Sequence, residues 1–270
     1  MKIAVITKKG LDESPLKNWL LDGLKASNSF DICELASAKE LTRSFDRVLV
    51  FGGDGTMLDV VRHALPFDIP VLGVNLGYLG FLTKLDKDVT ASELASALKS
   101  SKFTEKSLLE ISDGSRSFVA LNELVVKSSS TRPVSIDLYV DGNFADTYKS
   151  DGLIVSTPTG STAYSLSAGG PIVAPDVKAI VVNPICPHSL HSRPLVLSDS
   201  ANIVVKIAGE ESEVALILDG NNVENVKNGA EISIKTSSKS AKFVDVGGEN
   251  FFDKLLKKMN VWSTTLQKTE

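Results

Sequence analysis

The rhythm of apolar and polar positions changes near residue 100. Before it, short β-branched runs alternate with helical patterns, the arrangement of a parallel sheet covered by helices. Ile3-Ala4-Val5-Ile6 reads as the first strand. Ser14 suits a helix cap and Pro15 the first helical position, and Leu16, Trp19, Leu20 and Leu24 follow at helical spacing. A second strand is expected near Phe30-Asp31-Ile32, and the unbroken apolar runs Val48–Phe51 and Val71–Val74 predict strands buried on both faces. Thr90 with Glu93 forms a capping-box pattern for a further helix. From about residue 102 alternating strands separated by turn residues take over. Ile136, Leu138 and Val140 alternate ahead of Asp141-Gly142, a hairpin signal, and similar hairpins are expected at Gly209-Glu210-Glu211-Ser212 and Thr236-Ser237-Ser238-Lys239. Phe251 to Met259 carries an apolar stripe that predicts a last helix packed on the body, while Trp19 and Trp262 read as packing anchors. The pattern therefore predicts an α/β N-terminal domain with a parallel sheet at 1–100. A β-rich, sandwich-like domain at 101–248 and a C-terminal helix and tail at 249–270 complete it.

Composition narrows the partners. A chain of 270 residues buries about three quarters of its unfolded surface, enough for one large or two modest domains. A formal net charge of -4 and the lack of a long Lys/Arg run argue against a nucleic-acid footprint. No apolar stretch reaches the roughly 18 residues of a membrane span, and the first residues run into a strand without a cleavage-site pattern, so a cytoplasmic protein is expected. Two isolated cysteines, Cys33 and Cys186, read as buried thiols in a reducing compartment.

Chemistry concentrates first in Gly52-Gly53-Asp54-Gly55-Thr56, between the strand ending at Phe51 and a helix with Met57, Val61, Ala64 and Leu65 on one face. The glycines permit positive φ and close backbone approach, and the helix start favours an anion, so Gly52, Gly53, Gly55 and Thr56 form a candidate phosphate loop. Asp54 would repel phosphate unless it had a task. Accepting a proton from an attacking hydroxyl and helping to organise a magnesium ion both fit, and the plain alternative is a helix cap. Neither a Walker loop nor a Gly-x-Gly-x-x-Gly loop occurs. Gly-Gly-Asp-Gly-Thr after a strand resembles the signature shared by NAD kinases, diacylglycerol kinases and sphingosine kinases.

A second segment separates these relatives. The run from Asp151 to Pro171, with Ser156-Thr157-Pro158-Thr159-Gly160-Ser161-Thr162-Ala163-Tyr164-Ser165 at its centre, is dense in hydroxyls around one aromatic ring, a surface suited to a base and a sugar. It closely resembles the longest NAD kinase motif, which the lipid kinases lack. Leu76 to Thr83, Asn122-Glu123, Pro187 to Leu190 and Arg193 to Val196 resemble further segments of that family. The resemblance implies transfer of the γ-phosphoryl group of ATP to the 2′-hydroxyl of the adenosine ribose of NAD, giving NADP. Mg²⁺ or another divalent metal would accompany the ATP, and the donor range, including polyphosphate, is left open. It further implies that Asp54 is the general base beside Gly55. Asn122, Glu123, Asp151 and the stretch Thr162, Ala163, Tyr164, Ser165, Leu166 and Ser167 would hold NAD. Lys149 stands where many relatives have Arg, and Asn221 where some have Gln, so both are carried over as NAD contacts that depart from the family pattern. A homodimer or homotetramer is expected on the same ground, with neither nucleic acid nor membrane as partner.

Adjacent strand residues point to opposite faces, so Asn122 and Glu123 can share a ligand only where the strand bulges, ends or is reached from an edge. A metal site from Cys186, His188 and His191 lacks a fourth ligand. His63 reads as an exposed helical residue, and Lys254, Lys257 and Lys258 as a solvated helix face. A lipid kinase and a non-catalytic dinucleotide sensor are the rival functions.

Overall fold

The computed structural model describes residues 1–77, 80–208, 214–248 and 250–267, with side-chain burial through residue 260. The chain forms two compact units, Met1–Glu105 with Ala241–Glu270, and Lys106–Ser240.

The first unit opens with β1 (Lys2–Thr7), α1 (Pro15–Ala26), β2 (Asp31–Leu35), β3 (Arg47–Phe51), α2 (Asp54–Ala64), β4 (Val71–Val74) and α3 (Ala91–Lys99). Its strands run in the order β2-β1-β3-β4, each pair parallel. Every residue of β4 is buried, as are Val48 to Phe51 of β3, which explains their unbroken apolar sequence. Ser14 caps α1 by accepting from the Lys17 amide, and Thr90 and Glu93 form the reciprocal capping box of α3. Helix α1 buries Lys17, Leu20, Leu21 and Leu24. Trp19 falls outside that stripe and is 53% exposed, so it is not the packing anchor its size suggested.

The second unit contains β5 (Phe103–Ser112), whose first residues belong to the first unit, then β6 (Ser117–Ala120), β7 (Glu123–Ser128), β8 (Val134–Val140), β9 (Asn143–Ser150) and β10 (Gly152–Ser156). The short helix α4 (Tyr164–Ser167) precedes β11 (Ala179–Ile185), β12 (Leu195–Ser198), β13 (Ile203–Ala208), β14 (Val214–Leu218), β15 (Asn221–Val226) and β16 (Glu231–Val244). One sheet runs β12-β11-β10-β7-β14-β15, and a second set pairs β16-β13-β8-β9. Their inner faces share one core in which Leu124, Val126, Leu153 and Val155 meet Ile136, Leu138, Ile203 and Val205, a β-sandwich. Asp141 and Gly142 both take positive φ in the two-residue turn between β8 and β9, the geometry a tight hairpin requires.

The other two expected hairpins differ. Thr236 to Lys239 lies inside β16, a single strand of 14 residues. Gly209 to Ser212 lies outside the described residues, and the flanking strands do not pair: β13 joins β8 and β16, whereas β14 joins β7 and β15. The first unit takes back the chain at Ala241 rather than at residue 249, because the end of β16 pairs in parallel with β4, Phe243 opposite Val71. Helix α5 (Phe251–Gln267) follows. It turns Phe251, Lys254, Leu255 and Lys258 inward and leaves Phe252, Leu256 and Met259 exposed. The expected apolar stripe is thus split, Phe251 and Leu255 inward and Phe252, Leu256 and Met259 outward, and Lys254 and Lys258 are half-buried rather than part of a solvated face. Trp262 has no described side chain. Cys33 is half-buried and Cys186 exposed, so neither is the buried thiol expected.

Candidate active site

In the first unit the strand order reverses between β1 and β3, since β1 is followed by β2 on one flank and β3 returns to the other. Ligands of open α/β sheets bind outside the C-terminal strand ends at such a point. Here the Gly52 to Thr56 loop leaves β3 and Lys8-Lys9 leaves β1, and a cavity of about 410 Å³ is lined by Lys8, Lys9, Ser37, Gly53, Gly55 and Thr56. A larger cavity of about 960 Å³ lies against α3 and Lys84 to Val89 and touches no residue of the loop, whereas the loop cavity, whose lining also includes Asp59, carries the bare glycine backbone. The loop cavity is the one with phosphate-binding chemistry.

None of the loop glycines takes positive φ. Their use is space: a Cβ on Gly52 would stand 2.7 Å from Thr56 Oγ1, whereas Gly53 and Gly55 present bare backbone with nothing within 4 Å. Gly53 caps α2 through its carbonyl, which accepts from Thr56 and Met57. The first-turn amides of α2 thereby open toward the loop, where the helix dipole favours an anion.

Asp54 is the first residue of α2 and does not cap it, which removes the plain structural explanation. Its carboxylate instead accepts from the backbone of a distant segment, Oδ2 from the Phe81 amide and Oδ1 from the Leu82 amide, both at 2.9 Å. Gly80 makes room for this, because a Cβ there would collide with Oδ1. A third neighbour comes from α5: the Lys258 ammonium lies 3.9 Å from Oδ2 and 4.3 Å from the centre of the Phe81 ring. Burial holds the Lys258 ammonium below the usual lysine range, opposed by the charge of Asp54. Lys254, one turn earlier, donates to the Thr83 carbonyl. The Asp54 side chain keeps 30% of its surface exposed, so one edge remains open to a reactant. His63 bonds the Asp59 carbonyl of its own helix and takes no part. Tyr78 and Leu79 lie outside the described residues.

In the second unit Asn122 and Glu123 resolve the strand-face difficulty by breaking the strand. β6 ends at Ala120 and pairs with β5, and β7 begins at Glu123 in the other sheet, so Leu121-Asn122 is the crossing between sheets. Asp219, just beyond β14, holds that crossing: its carboxylate accepts from Leu121 at 2.9 Å, Asn122 at 2.7 Å and Glu123 at 3.2 Å. Its own amide donates to the Glu123 carbonyl at 3.1 Å. Glu123 is 5% exposed and Asn122 8%. Burial, and then the charge of Asp219, push the Glu123 carboxyl up to about 8. Glu123 Oε2 is buried without a hydrogen-bond partner among the described residues, and so is Oγ of Ser156, its cross-strand neighbour.

The hydroxyl-rich run works differently from expectation. Thr157 donates to the Leu121 carbonyl and its amide to the Asn122 carbonyl; Ser161 bonds Pro158 and Val173; the Asn183 amide donates to the Ser165 carbonyl. Thr157, Ser161 and Ser165 are buried, and their polar groups brace the backbone. Tyr164 and Ser167 are exposed and Thr162, Ala163 and Leu166 half-buried, which leaves these five as the accessible surface of the run. Lys149 and Asp151 are exposed at the far end of β10, where Gly152 pairs with Lys127, whereas Ser156 pairs with Glu123 at the near end. Four residues of strand, about 13 Å, separate the two groups. Asn221 is exposed and donates to the Asp219 carbonyl.

Sequence reasoning missed Lys258, Ser156 and Asp219. Asp219-Gly220 carries a turn signal, and both residues do take positive φ, but nothing local marks a carboxylate that reaches residues 121–123.

Comparison with known proteins bears on the same segments. The N-terminal domain of ATP-NAD kinases matches residues 9–102 and its C-terminal domain residues 121–246. An NAD kinase of Christiangramia forsetii is 37% identical over 85% of this chain and 80% of its own length. One of Caldanaerobacter subterraneus subsp. tengcongensis is 41% identical over 82% and 81%. Among solved structures, an Archaeoglobus fulgidus NAD kinase in complex with ATP superposes with a TM-score of 0.82 at 28% identity, covering 94% of this chain and 98% of that one. A yeast NADH kinase complexed with NADH gives 0.83 at 26%, covering 96% and 87%. With both domain matches spanning the glycine loop, the Asn122-Glu123 crossing and the hydroxyl-rich run, the chain belongs to the NAD kinase family.

Proposed function

We infer that this chain is a phosphotransferase that moves the γ-phosphoryl group of ATP to the 2′-hydroxyl of the adenosine ribose of NAD, giving NADP. The observation that carries the chemistry is Asp54: an anchored carboxylate with one open edge, at the start of a helix whose preceding glycines present bare backbone. As the sugar oxygen bonds to the γ-phosphorus, its proton passes to Asp54 and the bond to the ADP oxygen breaks. Gly53, Gly55 and the first turn of α2 receive phosphate oxygens, with Lys8 and Lys9 beside them in the loop cavity. On the family resemblance Mg²⁺ or another divalent ion would enter with the triphosphate, as part of the substrate, and would neutralise phosphate charge there.

NAD is held by Asn122 and Glu123 and by the accessible surface from Thr162 to Ser167, where the Tyr164 ring offers a stacking face. Asp151, Lys149 and Asn221 are the outlying contacts. Among the described residues no helix is long and apolar enough to cross a membrane. On the family resemblance the enzyme works in the cytoplasm as a homodimer or homotetramer.

The test is direct: purified protein with ATP and Mg²⁺ is offered NAD or diacylglycerol. NADP is the expected product. Phosphatidate, or no product from either acceptor, refutes the reading.

A further inference from the structure

We propose that Asp219 is a positioning residue for NAD binding: its carboxylate holds the Leu121–Glu123 crossing and keeps Glu123 a neutral acid that enters the dinucleotide complex as a hydrogen-bond donor. The inference rests on the assignment of NAD to this unit and adds a protonation state and a residue outside the family-derived contact set.

The geometry carries it. Three consecutive amides converge on one carboxylate from residues 96–98 positions away in sequence, and the Asp219 amide returns a bond to the Glu123 carbonyl. Three N–H donors favour the ionised form of the carboxylate that receives them, so Asp219 carries the negative charge of the pair. Among the described residues no backbone amide donates to the Glu123 carboxyl. Its Oε2 is buried and unpartnered among the described residues, and the group that shares its register on β10, Ser156, brings a second unpartnered oxygen and no charge. A second anion here would lose its hydration beside an existing one, whereas a neutral carboxyl avoids most of that cost.

Among the described residues Ser156 of β10 stands opposite Glu123 and Asp219 from the end of β14 accepts from its amide, with Asn221 of β15 bonded to the Asp219 carbonyl. Asp219 is the charge that acts on the carboxyl, in the direction that retains the proton. A buried acid with one O–H and one unpaired oxygen fits a sugar hydroxyl or a carboxamide, groups that both donate and accept.

The experiment is calorimetric titration of the full chain with NAD from about pH 6 to about pH 9.5, for wild type, Glu123→Gln and Asp219→Asn. Wild-type affinity is expected to hold up to about pH 8 and then weaken, approaching about tenfold per pH unit. Glu123→Gln keeps a donor and an acceptor but cannot ionise, so its Kd becomes flat across that window. Asp219→Asn retains an oxygen for the Asn122 and Glu123 amides while losing the charge, so its break moves to lower pH. Should Asp219→Asn not fold, the Glu123→Gln arm decides alone. A wild-type Kd that is flat from pH 8 upward, a break that survives in Glu123→Gln, or loss of NAD binding in Glu123→Gln overturns the proposal. Absence of NAD binding by the wild type at every pH refutes the assignment of NAD itself instead.

Discussion

Asp54 and Asp219 perform the same structural act in different surroundings. Each is an aspartate whose two oxygens seize consecutive backbone amides of a distant segment, Phe81-Leu82 in one unit and Leu121 to Glu123 in the other. Asp54 keeps an open edge and an ammonium 3.9 Å away, whereas Asp219 stands against a carboxyl whose proton is retained by burial first and by the Asp219 charge second. The bonds fix a carboxylate in both places. What else surrounds it decides whether it serves as a base for an arriving alcohol or as a fixed charge that helps set the state of a neighbour.

If that contrast is right, substitution on the Asp54 side damages turnover and on the Asp219 side binding. Asp54→Asn is expected to lower kcat by about 10² to 10⁴, the usual worth of a general base, with Kd for NAD changed only a few fold. Near-normal turnover in the folded variant would remove the base. Gly160→Ala tests the other unit. Its Cβ would stand 2.7 Å from Asn122 Cα and closer still to the Asn122 carbonyl, so the crossing must shift. Overpacking of this kind costs about 1–3 kcal/mol, and KM for NAD should rise by about tenfold or more while kcat falls less. An unchanged KM would show that the placement of Asn122 does not matter to the dinucleotide.

Glu123→Gln also separates the two regions by stability. The folded protein keeps the Glu123 proton up to about pH 8, but the unfolded chain releases it near its ordinary value of 4.5. Between those limits the folded state binds the extra proton, so wild-type stability contributed by this group falls as pH rises from 4.5 toward 8. The variant has no such dependence. Its Tm should exceed that of the wild type at pH 8 by several degrees, corresponding to a few kcal/mol at about 2–4 °C each, and the margin should vanish near pH 4.5. An equal margin at both pH values would mean the carboxyl is not titrating.

Local chemistry made much of this legible. The β3 and β4 runs, the Ser14 and Thr90 caps and the Asp141-Gly142 turn are written within a few residues, and each formed as the pattern implies. Thr236 to Lys239 misled because an exposed stretch of a long strand and a turn share the same polar composition. The glycine loop was readable as a phosphate loop, but not the reason for its glycines, which is bare backbone and not positive φ. The hydroxyls of Thr157, Ser161 and Ser165 advertise ligand chemistry in sequence and brace backbone in the fold, because side-chain direction is decided by burial. Asp219 and Lys258 act over long sequence separations, and no periodicity or motif encodes such a contact.

Lys258 offers the smallest effect and the sharpest view of the Asp54 side. A partly exposed ion pair at 3.9 Å is worth about 1 kcal/mol and is lost as Asp54 takes the proton, so Lys258→Met should raise kcat by up to about fivefold, a far smaller change than that in Asp54→Asn. Arginine at the same place restores the charge if the charge is what counts. The pH dependence gives the sign: because burial holds this ammonium below the usual lysine range, the wild type loses the charge as pH rises through that lowered value, and kcat should rise there. Lys258→Arg stays cationic beyond it and carries the lower rate to higher pH, while Lys258→Met shows the higher rate throughout with no alkaline step from this group. Combined with Asp54→Asn, Lys258→Met should change kcat little further, since the charge at position 54 is then already gone. Full additivity in that double variant would mean Lys258 acts on the reaction through something other than Asp54.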